Sequence, residues 1–383
     1  MRSAGSAGSA LYVVIPGDLG IRTGGYGYDR RIIAGLRDRG WLVDVQRLDD
    51  SFPTPTLAAH AHAASVLAAI PDGSTVLVDG LALGALPDEA EREALRLRII
   101  ALVHHPLAAE TGVDPVLAVA LEVSERRALA ASRSVVVTSR ATAARLAEYG
   151  VTADRITVVE PGTDRAPIAR GSAVSAQLSV PGEKPSALGP QPSDEPLVSP
   201  KPFDVALLCV ATLTPRKGHE LLVRALAAVR HRNWRLICAG SLDRDPLTVA
   251  RVRDLVRAEG VEDRIVLAGD MEAAMLATHY DRADLFVLPT LYEGYGMVVA
   301  EALARGLPIV STATGAIADL VGADAGIVVP PGDLAAFTDA LSRVLGDAEL
   351  RAQLSAGARR VRDRLPTWDD AAIAMALALE AKA

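Results

Sequence analysis

Cysteine is almost absent: 383 residues contain two, Cys209 and Cys238, each inside an apolar run, LLCVA and LICAG. A disulfide framework is excluded, and a cysteine in such a run behaves as a small buried hydrophobe, which fits a reducing compartment. Long apolar runs are missing as well. No stretch reaches the roughly 18 residues that span a bilayer, and the opening MRSAGSAGSA has no apolar centre of the kind a secretion signal carries. The first ten residues read as a flexible tail, and the chain is expected to be cytoplasmic. Runs of basic residues are scarce: the formal net charge is -7 and the arginines are scattered, so nucleic acid is not expected as a partner. Three motif classes are absent too: Cys/His spacings for zinc, the Gly-x-x-x-x-Gly-Lys-Ser/Thr phosphate loop and the Gly-x-Ser-x-Gly nucleophile elbow. Metal, ATPase and hydrolase readings are left without support.

What is present is a repeated α/β pattern. Apolar runs at 11–16, 41–46, 74–80, 98–104, 134–139 and 156–162 alternate with Ala-, Leu- and Arg-rich helical stretches. Continuous apolar strands separated by helices indicate a parallel sheet covered on both faces. Residues 166–203 are rich in Pro, Ser and Gly without an apolar period and read as a mobile linker. A second series follows at 205–212, 234–240, 264–270, 284–290, 307–312 and 325–330. The organisation expected is a doubly wound domain over 11–165, the linker, a second over 204–365, and a C-terminal helix over 366–383 that packs back across the junction. Two such domains place a ligand in the cleft between the carboxyl ends of their strands.

The most informative segment is DLFVLPTLYEGYGMVVAEALARGLPIV, a strand, a loop with Glu293, Gly294, Tyr295 and Gly296, a helix bearing Glu301, and another strand. Glycines let backbone amides approach a ligand, and a helix start favours anionic groups. Glu301 stands in an apolar run, where a carboxylate needs hydrogen-bond donors such as sugar hydroxyls. The plainer alternative is a capped loop and a half-exposed helix glutamate. A second segment, CVATLTPRKGHELLVRAL, places Arg216, Lys217 and Gly218 between a strand and a helix; it reads as an anion-binding loop or as a solvated basic turn. In the first half, strand 11–16 leads into Gly24 and Gly25, and strand 98–104 ends at His104 and His105.

Together these segments resemble glycosyltransferase family 4, the retaining group 1 enzymes of GT-B fold, over nearly the whole chain apart from the tail and linker. The carriers are two glutamates with a Gly-aromatic-Gly step after the first: Glu293, Tyr295 and Glu301. The resemblance implies two Rossmann-like domains facing each other across a cleft. It implies that Glu293 and the amides of Gly294 to Gly296 hold a donor sugar, and that Glu301 binds the nucleotide ribose. Lys217 matches the family's diphosphate lysine, but Ala211 and Thr212 stand where Gly and Arg are usual, leaving Arg216 as the substitute cation. Gly24 and Gly25 resemble the glycine-rich loop facing diphosphate and acceptor. His104 and His105 stand where a histidine contacts the donor sugar, the following Leu-Ala-Ala favouring His105. Gly315, Asp319 and Gly326 fit a further loop, with Ala316 in place of a second glycine and Asp319 in place of the usual glutamate, and Gly315 is expected near the donor phosphate.

The implied reaction moves a hexose-type sugar from a nucleoside diphosphate sugar, uridine favoured over guanosine, to a soluble or lipid-linked acceptor. It needs no cofactor and no metal. The leaving diphosphate is stabilised by Arg216, Lys217 and the helix start near Gly296, and it takes the acceptor's proton. Rival readings are a GT-B epimerase or phosphorylase, a catalytically silent sugar-nucleotide binding protein, and a dehydrogenase using Gly25-Tyr-Gly27 with Asp44 as ribose acid. The pair Asp243 and Asp245 is a weak manganese candidate. The basic helix 28–39, with Ile32, Ile33 and Leu36 on one side, either packs on the sheet or touches an anionic membrane, packing being favoured.

Overall fold

The structure, a computed structural model, describes residues 9–21, 23–110, 114–172 and 205–381. The first domain carries β1 (Ala10–Pro16), α1 (Gly24–Asp38), β2 (Leu42–Leu48), α2 (Leu57–Ala69), β3 (Thr75–Asp79), α3 (Gly80–Leu83), α4 (Pro87–Glu93), β4 (Arg98–Val103), α5 (Pro115–Ala131), β5 (Ser134–Val137), α6 (Arg140–Ala147) and β6 (Ile156–Val158). The second carries β7 (Val205–Val210), α7 (His219–Ala228), β8 (Trp234–Ala239), α8 (Pro246–Ala258), β9 (Ile265–Gly269), α9 (Ala273–Arg282), β10 (Leu285–Leu288), α10 (Met297–Leu303), β11 (Ile309–Thr312), α11 (Ile317–Val321), β12 (Gly326–Val329), α12 (Leu334–Gly346), α13 (Ala348–Arg362) and α14 (Trp368–Glu380).

Each sheet has six strands, ordered β2-β1-β3-β4-β5-β6 and β12-β11-β10-β7-β8-β9, with every neighbouring pair parallel. This is the GT-B architecture, but the halves differ in kind. The second has the Rossmann order, whereas the first has the flavodoxin-like order, in which the direction reverses between β1 and β3. Central strands such as β3 and β10 are buried along their length, as helices on both faces require. The edge strand β2 is only part-buried and therefore tolerates Asp44, Gln46 and Arg47. Asp44 is exposed in the middle of β2, and Gly25 and Gly27 lie inside α1 rather than in a turn before it. The dinucleotide fingerprint read from this half is not formed.

Helix starts follow local chemistry. Ser139, Asp114, Asp333 and Asp347 each accept a backbone N–H as N-caps, and Pro115 and Pro246 occupy the first turn, where no N–H is needed. Asp245 is such a cap, bound to the Thr248 amide and hydroxyl, and Asp243 is exposed. Asp245 thus serves as the cap of α8. In α1 the side reading as membrane-facing is occupied: Ile32, Ile33 and Leu36 are buried. Arg30 donates to Leu19 and Ile21 carbonyls, Arg31 pairs with Asp164 and lies over Trp368, and Arg37 donates to Val43. No helix among the described residues is long and apolar enough to cross a membrane.

Two sequence expectations change at the boundaries. The tail ends earlier, since β1 begins at Ala10 and the Ser9 carbonyl accepts the Leu42 amide. The linker begins later: Ala169 donates to Arg305 O, Arg170 pairs with Asp281, and the Ser172 amide bonds Asp284. Residues 166–172 are thus fastened to the second domain, and 173–203 lie outside the described residues. Trp368 to Glu380 cross back onto α1, where Ala371, Met375, Ala378 and Leu379 complete the same apolar cluster as Ile32 and Leu36. A Cβ on Gly35 would come within 2.5 Å of Ala372 Cβ. Met375 is fully buried in this seam, so Met375→Ala is expected to lower unfolding free energy by about 2–5 kcal/mol. An unchanged urea midpoint would show that α14 does not dock there.

Candidate active site

Ligands in open α/β sheets bind beyond the carboxyl ends of the strands where strand order reverses. In the second domain that point lies between β7 and β10, and the loops leaving them are 211–218 and 289–296. They are tied together: the Leu291 amide donates to Arg216 O at 2.7 Å, and the Thr290 hydroxyl to the same oxygen at 3.1 Å. Gly315 supports them from behind, where a Cβ would fall 2.1 Å from the Glu293 carbonyl and φ is +53°. Lys217 Nζ consequently sits 2.5 Å from Glu293 Oε2, with both side chains largely buried. Burial pushes the Glu293 carboxyl up, but Lys217, Arg216 and His105 together hold it below the usual glutamate range, so it is ionised. An ammonium has three donors, so one bond to Glu293 leaves two N–H groups for a ligand oxygen.

In the first domain the reversal lies between β1 and β3, beside the end of β4. Here His104 Nε2 is 3.2 Å from Asp29 Oδ1 and 3.7 Å from Asp79 Oδ2, and its ring stands edge-on to Tyr28. His104 is part of a buried acid cluster. His105 turns the other way, with its ring 5.9 Å from that of Tyr292 in the second domain and its Nε2 3.4 Å from Glu110. Burial, then the Asp29 charge, pushes Asp79 up to about 7, against the opposing pull of His104 and the Leu81 amide. Burial alone would lower His104, but Asp29 and then Asp79 raise it above an ordinary histidine. The buried Glu125 accepts the Leu107 amide at 2.9 Å and steadies the turn after His105; burial pushes it up to about 8.

The two rims touch. A Cβ on Gly294 would lie 2.4 Å from the His104 carbonyl, so only glycine admits this approach. Arg216 Nε pairs with Glu110 at 2.8 Å across the cleft while its Nη1 donates to Tyr292 O; its distance to Glu293 Oε1 is 3.9 Å. Gly24 and Gly27 of α1 approach the Met297 side chain at the start of α10. Gly25 faces the His104 ring.

The structure therefore brings Glu293, Lys217, Arg216 and His105 together, with Gly294 and Gly296 beside them. Gly296 caps α10 in the left-handed region at φ +94° without a side-chain cap bond. Glu301 is separate: Tyr280 donates to its Oε2 at 3.1 Å, Arg305 lies over the Tyr280 ring, and burial raises its pKa. The Tyr295 ring belongs to the apolar core, 5% exposed, so its side chain does not form a wall of the cleft. Sequence reasoning missed Asp29, Asp79, Glu110 and Glu125. Asp29 had a signal, since it shares a helical face with Ile32, Ile33 and Leu36. Glu110 had none, because its partner Arg216 is more than one hundred residues away in sequence.

The family described as "Glycosyl transferases group 1" matches residues 204–347, and that described as "Glycosyltransferase Family 4" matches 74–166. The chain belongs to the group 1 glycosyltransferases of the family 4 type. Among relatives, the D-inositol 3-phosphate glycosyltransferase of Xylanimonas cellulosilytica is 33% identical over 259 residues, 66% of this chain and 58% of that protein. The lipopolysaccharide core biosynthesis mannosyltransferase LpsB of Rhizobium meliloti is 31% identical over 154 residues, 39% of this chain and 43% of that one. The chain spans about half the length of the curated relatives it matches. Among solved structures, sucrose-phosphate synthase from Thermosynechococcus elongatus superposes with TM-score 0.76 at 21% identity, covering 96% of this chain and 97% of that one. Anabaena HepE in complex with UDP gives 0.72 at 17%, covering 97% and 100%. Both solved structures share the fold of this family-4 chain.

The acid cluster sets an expected pH dependence. The folded pKa values of Asp79 and His104 both lie above their unfolded values, so the folded state holds these protons more tightly and stability falls as pH rises through about 7. Asp79→Asn is expected to flatten the decline in melting temperature between about pH 5 and pH 8. A slope identical to that of the parent chain would remove Asp79 as its source.

Proposed function

We propose that this chain transfers a hexose-type sugar from a nucleoside diphosphate sugar to an acceptor hydroxyl, with retention at the anomeric carbon and without a divalent metal. The observation that carries the reading is the convergence of Glu293, Lys217 and Arg216 at the reversal point of one sheet, against His105 from the other. Charge supports it. As the bond from anomeric carbon to phosphate oxygen stretches, negative charge grows on the diphosphate, and the ammonium of Lys217 is fixed there beforehand by Glu293. Ionised Glu293 accepts hydrogen bonds from sugar hydroxyls and orients Lys217 at the same time. Arg216 adds positive field at the rim. The leaving phosphate oxygen takes the acceptor proton, so no separate carboxylate base is required.

Uridine is the favoured base, supported by the UDP and UDP-glucose complexes of HepE; Glu301 is assigned to the ribose, with Tyr280 holding one of its oxygens in place. The acceptor is assigned to the first domain's rim, as a soluble or lipid-linked alcohol. The engagement of the α1 arginines supports the soluble form.

Glu293→Ala and Lys217→Ala are each expected to reduce transfer by at least about a hundredfold while the fold persists. Transfer rates equal to the parent in both would sink the assignment. Brief treatment with excess EDTA is expected to leave turnover intact; complete loss would show that a metal takes part in the reaction. UDP is expected to raise the melting temperature more than GDP. Donor binding without nucleotide release, under any acceptor tried, would identify a silent binding protein instead.

A further inference from the structure

Behind the diphosphate loop, in the second domain's core, three soft ligands meet. Cys209 and Cys238 are register partners on the neighbouring parallel strands β7 and β8. His219 opens α7, immediately after Gly218. Cys209 Sγ lies 3.8 Å from His219 Nε2, and the three ligand atoms all fall within 4.8 Å of one another. Their exposures are 0%, 2% and 2%. Both cysteines are free thiols. The second ring nitrogen of His219, Nδ1, is buried without a hydrogen-bond partner.

An imidazole in a dry core whose Nε2 meets only a thiol is poorly satisfied, because sulfur is a weak donor and a weak acceptor. A metal bond to Nε2 supplies what the thiol does not. The spacing suits one. A cation about 2.3 Å from a thiolate sulfur and about 2.0 Å from an imidazole nitrogen sets the two roughly 3.5–3.7 Å apart, from tetrahedral to trigonal angles. Closing the observed distance needs a shift of a few tenths of an ångström at most.

We infer that Cys209, Cys238 and His219 form a binding site for a thiophilic d10 cation, Zn2+ or Cu+. On binding, each thiol loses its proton to solvent, and two thiolates and the neutral imidazole bond the metal without change of oxidation state. With Zn2+ the unit is neutral, which suits burial. With Cu+ it is anionic but complete with three ligands. The cation would fasten β7, β8 and the start of α7 directly behind Lys217, touching no substrate. Depth of burial means that it enters as the chain folds.

The full chain, unfolded and refolded anaerobically with a reductant and either Zn2+ or Cu+, then desalted, is expected to retain about one equivalent of one of the two. The retained ion distinguishes zinc from copper. Metal content is expected to fall at least about tenfold in Cys238→Ala and in His219→Gln. Co2+ in place of Zn2+ gives a second readout on the unaltered chain, a thiolate-to-cobalt charge-transfer absorption. Folded parent chain holding neither ion and showing no such band would overturn the site. Equal metal content in folded variants, or a Cys209–Cys238 disulfide in place of two thiols under these conditions, would overturn it as well.

Discussion

A carboxylate buried as Glu293 is would ordinarily take up a proton, because a low-dielectric surrounding penalises its charge. Lys217 reverses that outcome from 2.5 Å. Arg216 and His105 reinforce it from the loop beside it and from the opposite rim. Each group needs the other, since an isolated ammonium in the same place would be equally costly. The arrangement of the two sheets serves this pair. Lys217 and Glu293 come from loops on either side of the second sheet's reversal point, and neither loop reaches its position unless β7 and β10 are neighbours.

Glycine sets how closely the surroundings approach. At Gly315 the backbone carbonyl of Glu293 fills the space a side chain would take, and at Gly294 the carbonyl of His104 does so from the other domain. At Gly294 the two domains therefore meet backbone to backbone. The charged pair Arg216 and Glu110 spans the same gap, with Glu110 near 40% exposed, so screening limits what it contributes to stability. Holding the domains together falls mainly to apolar packing: α14 against α1, and Met297 against the start of α1.

The opposite rim follows a different logic. Asp29 and Asp79 both face His104, and burial together with the neighbouring Asp29 charge pushes the Asp79 carboxyl up to about 7. His105, one residue further, escapes that cluster because β4 ends at Val103 and the chain turns. Adjacent histidines thus have unlike surroundings, one inside a hydrogen-bonded cluster and one facing the second domain.

The alternation of apolar runs was enough to reveal two parallel α/β units, because a strand covered on both faces must be apolar throughout. The local spacing around Glu293 and Glu301 and the Arg-Lys-Gly turn were legible for a similar reason: each lies within one strand-loop-helix unit whose residues are close in sequence. Strand order was not legible, and with it went the flavodoxin-like order of the first half, since periodicity records burial and not neighbours. Nor could the sequence show that Tyr295 points into the core while Glu293 faces the cleft, which depends on the left-handed turn at Gly296 and the loops packed behind it. Glu110 beside Arg216, Asp29 beside His104, and Cys209 beside Cys238 are contacts between residues distant in sequence. Only the pairing of strands and the closure of one domain on the other decided them, because hydrogen bonds and ion pairs act over a few ångströms of space regardless of separation along the chain.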